Sequence, residues 1–283
     1  MEAQWYRQQG HEVSWGKAIG KFNKVITRPE GLPFLSLPAP DRVWTKAKTY
    51  MSGNYKYVGT HILAANGCWH GQCTFCVENG SKYEVRMVED VVDEIDECKS
   101  LGFEEVFDDS GTFPRDIWLK RFCAKMVLRP YKIVLGCNMR IVDTDYELMK
   151  WAGFRMLLFG VESANQETLD RIHKGLKFNS IVPILKKASQ AGLQPHITVM
   201  FGYPWETDED ALRTLKFVHR MLRSGYAYTA QASLYSPEGN ESQHHYVKEL
   251  YDIKYDLRFI MRKISQIRSL ADIKYYLRNF HAS

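Results

Sequence analysis

From about Tyr57 onward, the chain alternates short apolar runs with amphipathic stretches of helical length. Six apolar runs have the length and composition of buried strands, at 57–65, 104–110, 131–139, 155–163, 194–207 and 227–237. The intervening helical patterns lie at 88–101, 116–128, 145–152, 165–174, 179–191 and 208–224. This alternation predicts an α/β fold of six βα units with parallel strands, arranged as an open sheet or as a partial TIM-like barrel.

The segments on either side of this series differ from it. Residues 1–56 contain four prolines between Pro29 and Pro40, which predicts an extended N-terminal lead-in packed on the barrel. Residues 241–283 contain a helical apolar stripe from Leu250 to Ile267, for which we expect C-terminal helices docked on the barrel. The predicted domain limits are therefore 1–56, 57–240 and 241–283.

Composition limits the class of protein. Of the 283 residues, 45% are apolar and 25% are charged, as in ordinary globular proteins. No run of 18 or more apolar residues is present and the N-terminus lacks an apolar signal, so we expect a cytoplasmic protein without a membrane span. The net charge of +5 arises mainly in 248–283. Such a local excess is typical of a solvated helix face, and binding of an anionic partner such as nucleic acid is the alternative interpretation.

Three of the six cysteines lie in "GCWHGQCTFC", residues 67–76. Disulfides are not expected, because a reducing cytosol keeps so sparse a set of cysteines as thiols or metal ligands. Three thiolates from Cys68, Cys73 and Cys76 suit an iron-sulfur cluster, or a Cys3His zinc site that His70 would complete. Most zinc modules have a second closely spaced pair of cysteines, which this sequence lacks. A 4Fe-4S cluster bound by only three cysteines would leave one iron free to bind a substrate or cofactor.

Further polar motifs follow the predicted strands: "FDDSGTF" at 107–113, "GVESANQETLDRIHKG" at 160–175 and "MFGYPWETDEDALRTLKF" at 200–217. Because parallel strands end at one edge, these motifs should converge there with the cysteine loop. In this order, the four motifs resemble the radical S-adenosylmethionine (radical SAM) superfamily, in its cobalamin-dependent and related branch. The C-x4-C-x2-C spacing is one residue longer than the commonest pattern and resembles the elongator-type members.

The resemblance implies a partial (βα)6 barrel in which three irons of a 4Fe-4S cluster bind Cys68, Cys73 and Cys76 and the fourth iron binds SAM. It also implies cleavage of SAM to methionine and a 5′-deoxyadenosyl radical that abstracts a substrate hydrogen. The cofactor-binding residues it implies are Phe75, Asp108, Asp109, Glu162, Ser163, Gly202 and Pro204. The cobalamin motif Asp-x-His-x-x-Gly is absent and 56 residues are too few for its domain, so cobalamin is not carried over.

Several of these residues have structural alternatives. One of Asp108 and Asp109 would bind the SAM ammonium. Adjacent carboxylates at a strand end also cap turns or helices, which is the structural alternative. Strand alternation directs only one of the two toward the barrel axis. Ser163 would also serve as a helix N-cap, beside a SAM contact from Glu162.

Other polar and thiol side chains are assigned more ordinary positions. Glu206 and Thr207 would cap the helix at 208–224. Arg140 is expected on the surface rather than at the SAM carboxylate. Cys98 and Cys123 are expected in the core, whereas Cys137 is expected to face the cavity of the cysteine loop.

The partners implied are a small-molecule or peptide substrate and an external flavodoxin- or ferredoxin-like electron donor. The catalytic residues, the substrate and the final reaction are not readable from the sequence. A zinc module that binds nucleic acid is the alternative, and the order of the four motifs favours the radical SAM enzyme.

Overall fold

The computed structural model describes residues 34–43, 46–49, 56–235 and 241–280. In chain order, its strands are β1 (Gly59–Ile62), β2 (Ala65–Asn66), β3 (Glu84–Val85), β4 (Glu105–Asp108), β5 (Val134–Met139), β6 (Phe154–Glu162), β7 (Gln194–Phe201) and β8 (Thr229–Leu234). Six of them form one parallel sheet in the order β1-β4-β5-β6-β7-β8. The six predicted strands are thus confirmed, with trimmed ends.

The helices of the described residues are α1 (Val88–Ser100), α2 (Asp116–Val127), α3 (Tyr146–Trp151), α4 (Gln166–Arg171), α5 (Phe178–Gln190), α6 (Asp208–Ser224), α7 (His245–Tyr251), α8 (Leu257–Ser265) and α9 (Leu270–Phe280). The first six match the helical patterns between the strands. No helix among the described residues combines the length and apolar character needed to cross a membrane.

The two faces of the sheet have different roles. Val106, Leu157 and Ile197 point outward into the main apolar core, which the helices cover. Their neighbours Phe107 and Leu158 point inward and line a cavity on the concave face. Within the described residues, β1 and β8 do not pair, so the sheet is a partial barrel with an open side, as predicted.

The C-terminal stripe is not one continuous helix. A short 3-10 turn, Asp252–Tyr255, separates α7 from α8. Asp256 then has an extended backbone, and its carboxylate caps α8 by accepting the N–H of Phe259 at 3.1 Å. Leu250 is buried against the barrel core, which confirms docking at the start of the stripe, whereas Leu257 is 69% exposed.

Most of the predicted lead-in lies outside the described residues. Arg42 is within them and is buried, where it donates to Glu94 Oε1 of α1 at 2.5 Å and to the carbonyl of His61 in β1 at 2.8 Å. This part of the segment therefore packs on the first βα unit.

Candidate active site

The cysteine loop occupies the turn of a small hairpin. β2 and β3 pair antiparallel, Ala65 with Val85 and Asn66 with Glu84, and residues 67–83 connect them. Two-residue strands carry no periodic signal, so the sequence did not predict this hairpin. It fixes both ends of the loop beside the C-terminal end of β1.

The three thiols differ in their surroundings. Cys73 is buried, while Cys68 and Cys76 are partly exposed, and all three are free of disulfides. The N–H of Glu78 donates to Cys76 Sγ at 3.4 Å, the kind of hydrogen bond that tunes cluster potentials. A backbone hydrogen bond closes the turn between the last two cysteines, since the N–H of Cys76 donates to the Cys73 carbonyl at 3.1 Å.

A short strap after α4, residues 172–174, contacts the loop and the neighbouring Arg140 through three successive carbonyls. The Ile172 carbonyl accepts the Thr74 N–H at 3.1 Å. The His173 carbonyl lies 2.8 Å from His70 Nε2, and the Lys174 carbonyl accepts a bond from Arg140 Nη2. His70 therefore anchors the loop to the strap.

Two buried cations flank Cys73. Arg140 Nη1 lies 3.7 Å from Cys73 Sγ, and only 9% of Arg140 is exposed, so the expected surface position of this arginine is wrong. Burial raises the pKa of the Cys73 thiol, and the charges of Lys174 and Arg140 oppose this rise. They favour the thiolate that an iron ligand requires.

Glu162 forms a buried ion pair with Lys174. Glu162 Oε1 lies 2.7 Å from Lys174 Nζ, and each side chain is only 9% exposed. A register shift between Gly160 and Glu162 interrupts the β6–β7 ladder, and Glu162 has φ of 68°, which is unusual outside glycine. Gly160 makes room for the pair, because a Cβ at that position would lie 2.8 Å from Lys174 Nζ and closer still to Glu162 Oε1.

Asp108 and Asp109 point to opposite sides of the sheet. Asp108 is buried and accepts the N–H groups of Ala64 at 2.6 Å and Ser110 at 3.1 Å. Burial raises the pKa of Asp108 to about 7. Asp109 lines the cavity and accepts a bond from Asn138 Nδ2 at 3.1 Å. Only Asp109 therefore faces the interior of the barrel.

Ser163 belongs to a buried hydrogen-bond network centred on Glu206. Ser163 Oγ, Asn165 Nδ2 and Thr168 Oγ1 all donate to Glu206 Oε1, at 2.7, 3.0 and 2.6 Å. The N-cap of α4 is Asn165, so the predicted cap at Ser163 is wrong by two residues. Thr207 caps α6 in a capping box, as predicted, but Glu206 is a buried core acceptor rather than a cap.

Gly202 begins a turn whose aromatic residues form one wall of the site. Gly202 has φ of 86°, and its N–H donates to Gln243 Oε1 at 3.1 Å. Tyr203 stacks on Trp205 with ring centroids 5.4 Å apart, and Phe75 of the cysteine loop packs against the same cluster. Pro204 is exposed at the tip of the turn.

Two buried polar atoms near Cys73 provide a test of whether these residues fit a polar cofactor. Among the described residues, Arg140 Nε and Tyr203 Oη are buried without a hydrogen-bond partner. The negative charges of Glu162 and Glu206 raise the pKa of Tyr203 further, after burial, and Cys73 contributes as well. Buried polar atoms are rarely left unpaired in proteins. Together with three thiols and two cations, they suit a sulfur-bound cluster and a zwitterionic ligand.

The remaining cysteines are structural. Cys98 and Cys123 are fully buried, and burial raises their pKa to about 11 and about 12, which confirms the core assignment. Cys137 is also buried in the helix-facing core, whereas its neighbour Asn138 lines the cavity. The expectation that Cys137 faces the cavity is therefore wrong, because strand alternation turns it outward.

The zinc alternative has no support from this geometry. His70 Nε2 lies against the His173 carbonyl rather than the thiols.

A cavity of about 590 Å³ lies on the concave face of the sheet. Asp109, Asn138 and His61 line it near the strand ends that carry the site, while Phe107, Met156 and Leu158 contribute apolar walls. Helices α8 and α9 cover the other side, so the C-terminal helices close part of the open barrel.

Together these features define an α/β enzyme with a three-cysteine loop at the C-terminal edge of a parallel partial barrel. The chain belongs to the radical SAM superfamily, whose sequence profile matches residues 62–218. Its cofactors are a 4Fe-4S cluster and S-adenosylmethionine.

Two curated relatives resemble much of the chain. A Methanocaldococcus jannaschii protein named as a methylthiotransferase is 28% identical over 211 residues, covering 69% of this chain and 45% of the relative. A Pyrococcus horikoshii protein named as an uncharacterized methyltransferase is 25% identical over 173 residues, covering 56% of this chain and 36% of the relative. The chain therefore spans less than half the length of these relatives.

Solved structures share the fold. The radical SAM methyltransferase TsrM of Kitasatospora setae, with cobalamin and a 4Fe-4S cluster bound, gives a TM-score of 0.55 at 23% identity, covering 63% of this chain and 35% of that one. Methylornithine synthase (PylB) gives a TM-score of 0.53 at 17% identity, covering 78% of this chain and 71% of that one.

Proposed function

We propose that this enzyme uses a 4Fe-4S cluster on Cys68, Cys73 and Cys76 to cleave SAM reductively, and that the resulting radical abstracts a hydrogen from a substrate in the barrel cavity. The observation that carries the proposal is the cationic setting of Cys73 between Arg140 and Lys174, in a partial barrel whose concave face holds a cavity. A binding module needs neither the cavity nor the buried charges.

The bound cluster and SAM supply the chemistry of the superfamily, in which one electron breaks a sulfonium bond to give methionine and a 5′-deoxyadenosyl radical. The protein holds the thiolates, compensates their charge and keeps water out. Arg140 and Lys174 supply positive charge beside Cys73. Lys174 Nζ also lies 5.8 Å from the centroid of Phe75, so the same cation fixes the aromatic residue between the last two cysteines.

The polar side chains near the loop have distinct proposed roles toward SAM. Asp109, rather than the occupied Asp108, would accept the SAM ammonium, because its carboxylate faces the cavity. Glu162 would contact the SAM ribose or amino acid moiety through the oxygen that Lys174 does not engage. Gly202 and Pro204 would shape the backbone near the adenine, and Ser163 would support Glu162 through the Glu206 network.

The cavity suits a reactive carbon radical. Its walls are largely apolar, with Phe107, Met156 and Leu158 on the sheet side, and the C-terminal helices cover it. Exclusion of water and of competing C–H donors directs the radical to the bound substrate. The substrate would be a small molecule or a peptide, with a flavodoxin- or ferredoxin-like donor as the electron source.

In this proposal, residues 57–240 form the radical SAM partial barrel, 1–56 the lead-in and 241–283 the helical extension. The extension completes the substrate cavity rather than forming an independent module, since α8 and α9 contribute its lining.

The test is anaerobic reconstitution with iron and sulfide, followed by incubation with SAM and dithionite. We expect a brown protein with broad absorption near 400 nm, about four irons per chain, and 5′-deoxyadenosine as a product. Cys73→Ala should lose the absorption and the product. Cys123→Ala, which removes a core thiol, is the matched control and should retain both.

A cluster-replete wild-type sample that forms no 5′-deoxyadenosine would contradict the proposed reaction. Full absorption and product in the Cys73→Ala variant would contradict the ligand assignment instead. Colourless protein that copurifies with one zinc per chain would favour the zinc alternative.

A further inference from the structure

A partly buried lysine lies in the wall of the cavity that the C-terminal helices provide. Lys263 of α8 lines the cavity together with Tyr276 of α9, and Tyr228, which lies just before β8, packs against the Lys263 ammonium. Its Nζ is 3.5 Å from the ring centroid of Tyr228 and 5.6 Å from that of Tyr276. Phe259, 5.3 Å away, completes a cage of three aromatic rings.

The groups around Lys263 satisfy only part of the hydrogen-bonding capacity of its ammonium. An ammonium has three donors, and Lys263 uses one of them on the Tyr228 carbonyl. Among the described residues, no carboxylate lies within ion-pair distance of Lys263, although buried charges are normally paired. Burial, together with the charge of the adjacent Arg262, lowers the pKa of Lys263 to about 7.

A second nitrogen without a partner faces the same region. His196 of β7 lines the cavity, and its Nε2 is buried without a hydrogen-bond partner. Its Nδ1 lies 2.7 Å from Thr229 Oγ1. Burial, and then the charge of Lys263, lower the pKa of His196 to about 4, so the ring is neutral near pH 7. When Nδ1 accepts the Thr229 hydroxyl hydrogen, Nε2 carries a hydrogen and can donate it.

One cation and one neutral donor match the charge and hydrogen-bonding capacity of a single carboxylate. The charged and titratable groups that face Lys263 are Arg262, which is a cation, His196, which is neutral, and the phenols of Tyr228 and Tyr276, so this end of the cavity favours an anion. Of the two acidic residues in the cavity wall, Glu105 pairs with Arg155, and Asp109 accepts a bond from Asn138 near the strand ends that carry the cysteine loop.

The lining of the rest of the cavity determines the polarity of the ligand that fits it. Apolar side chains from both the sheet and α8 lie between the two polar ends of the lining, including Phe107, Leu158, Ile260 and Ile264. A ligand with an apolar body would bury that surface without leaving unpaired polar groups.

We propose that Lys263 and His196 form an anion-binding end of the substrate cavity, and that the substrate is an organic carboxylate with a largely apolar body. This assignment rests on the proposed function in taking the cavity as the substrate site. The carboxylate would contact Lys263 Nζ and His196 Nε2, which leaves the other end of the molecule near Asp109 and the strand ends that carry the cysteine loop.

The test uses octanoate as the probe and 1-octanol as its uncharged counterpart, with binding to the full chain measured by titration calorimetry. No cluster, SAM or activity is required, so this result is independent of the test of SAM cleavage. We expect octanoate to bind at least about tenfold more tightly than octanol. Lys263→Met, which retains the apolar stem, should abolish this preference and leave octanol binding unchanged.

Proton uptake provides a second measurement. At pH 8 the wild-type protein should take up close to one proton per octanoate, because the anion restores the charge on Lys263, and at pH 6 it should take up almost none. Buffers of different ionisation enthalpy report this uptake. Lys274→Met, which removes an exposed lysine of α9, is the control and should keep both the preference and the proton uptake.

Three results would overturn the proposal. These are equal binding of octanoate and octanol, binding of neither probe, and a folded Lys263→Met variant that keeps the preference. If Lys263→Met does not fold, as judged by circular dichroism, the wild-type preference and its proton uptake still decide the question.

Discussion

Removal of the positive charge from Lys174 should destabilise the protein strongly, because it would leave Glu162 as an uncompensated buried carboxylate. The two side chains are 9% exposed each, and their charged atoms lie 2.7 Å apart. Loss of one partner of a buried pair typically costs about 3 to 5 kcal/mol. The cation–π contact with Phe75, at 5.8 Å, adds about 0.5 kcal/mol or less. We therefore expect Lys174→Met to lower the free energy of unfolding by about 3 kcal/mol.

A double-mutant cycle separates this charge effect from lost packing. Glu162→Gln combined with Lys174→Met removes both charges and should recover about half or more of the stability lost in the single variant. The control is Lys187→Met. It breaks an ion pair with Asp143 in which the side chains are 53% and 72% exposed, so its effect should stay within about 0.5 kcal/mol.

Urea unfolding of the cluster-free protein, followed by circular dichroism, measures all of these variants under one set of conditions. A loss below about 1 kcal/mol in Lys174→Met would refute the argument from burial. A double variant as unstable as the single variant would show that the cost arises from packing around Gly160 rather than from the isolated carboxylate.

Three further predictions concern other parts of the site. Asp108 has its pKa raised to about 7 by burial, so its contribution to stability is fully present near pH 4 and is lost as pH rises through 7. Between pH 5 and 8, the wild type should lose about 2 to 3 kcal/mol more stability in urea unfolding than Asp108→Asn, and equal slopes would contradict this. Thr207→Ala removes the capping box with Asp210 and should cost about 1 kcal/mol in the same assay, whereas an unchanged midpoint would show that water replaces the cap. Gly202 has φ of 86°, so Gly202→Ala should cost about 1 to 2 kcal/mol and weaken SAM binding in calorimetry, and a wild-type affinity would separate this turn from the cofactor.

The strand and helix pattern was predictable because each βα unit repeats the same alternation of apolar and amphipathic segments. The face of the sheet to which a side chain points was predictable only relative to the residue next to it, because successive side chains of a strand alternate between the two faces. The split between Asp108 and Asp109 follows from that rule, whereas Cys137 was assigned to the wrong face because the register of β5 was not known. The hairpin of β2 and β3 is too short to have a periodic signal.

Lys174 shows why the residues that surround the cysteines were harder to predict than the cysteines themselves. In the sequence, "IHKG" resembles the end of a surface helix, and a lysine there is normally solvated. Its burial depends on the absent side chain of Gly160 and on the left-handed backbone of Glu162, both of which lie on β6. Arg140 is similar, because its contacts with Cys73 and the Lys174 carbonyl join segments that are far apart in sequence.

The structure also gives a physical account of the C-x4-C spacing. The residues between Cys68 and Cys73 include two large rings that are held on different supports. Trp69 lies beneath two guanidinium groups, 4.4 Å from Arg115 and 5.1 Å from Arg140, while His70 contacts the strap at His173. Arg140 thus contacts Trp69 of the loop, the Cys73 thiol and the strap at once. The four residues between Cys68 and Cys73 therefore anchor the loop to the barrel, because Trp69 packs against Arg115 and Arg140 while His70 contacts the strap.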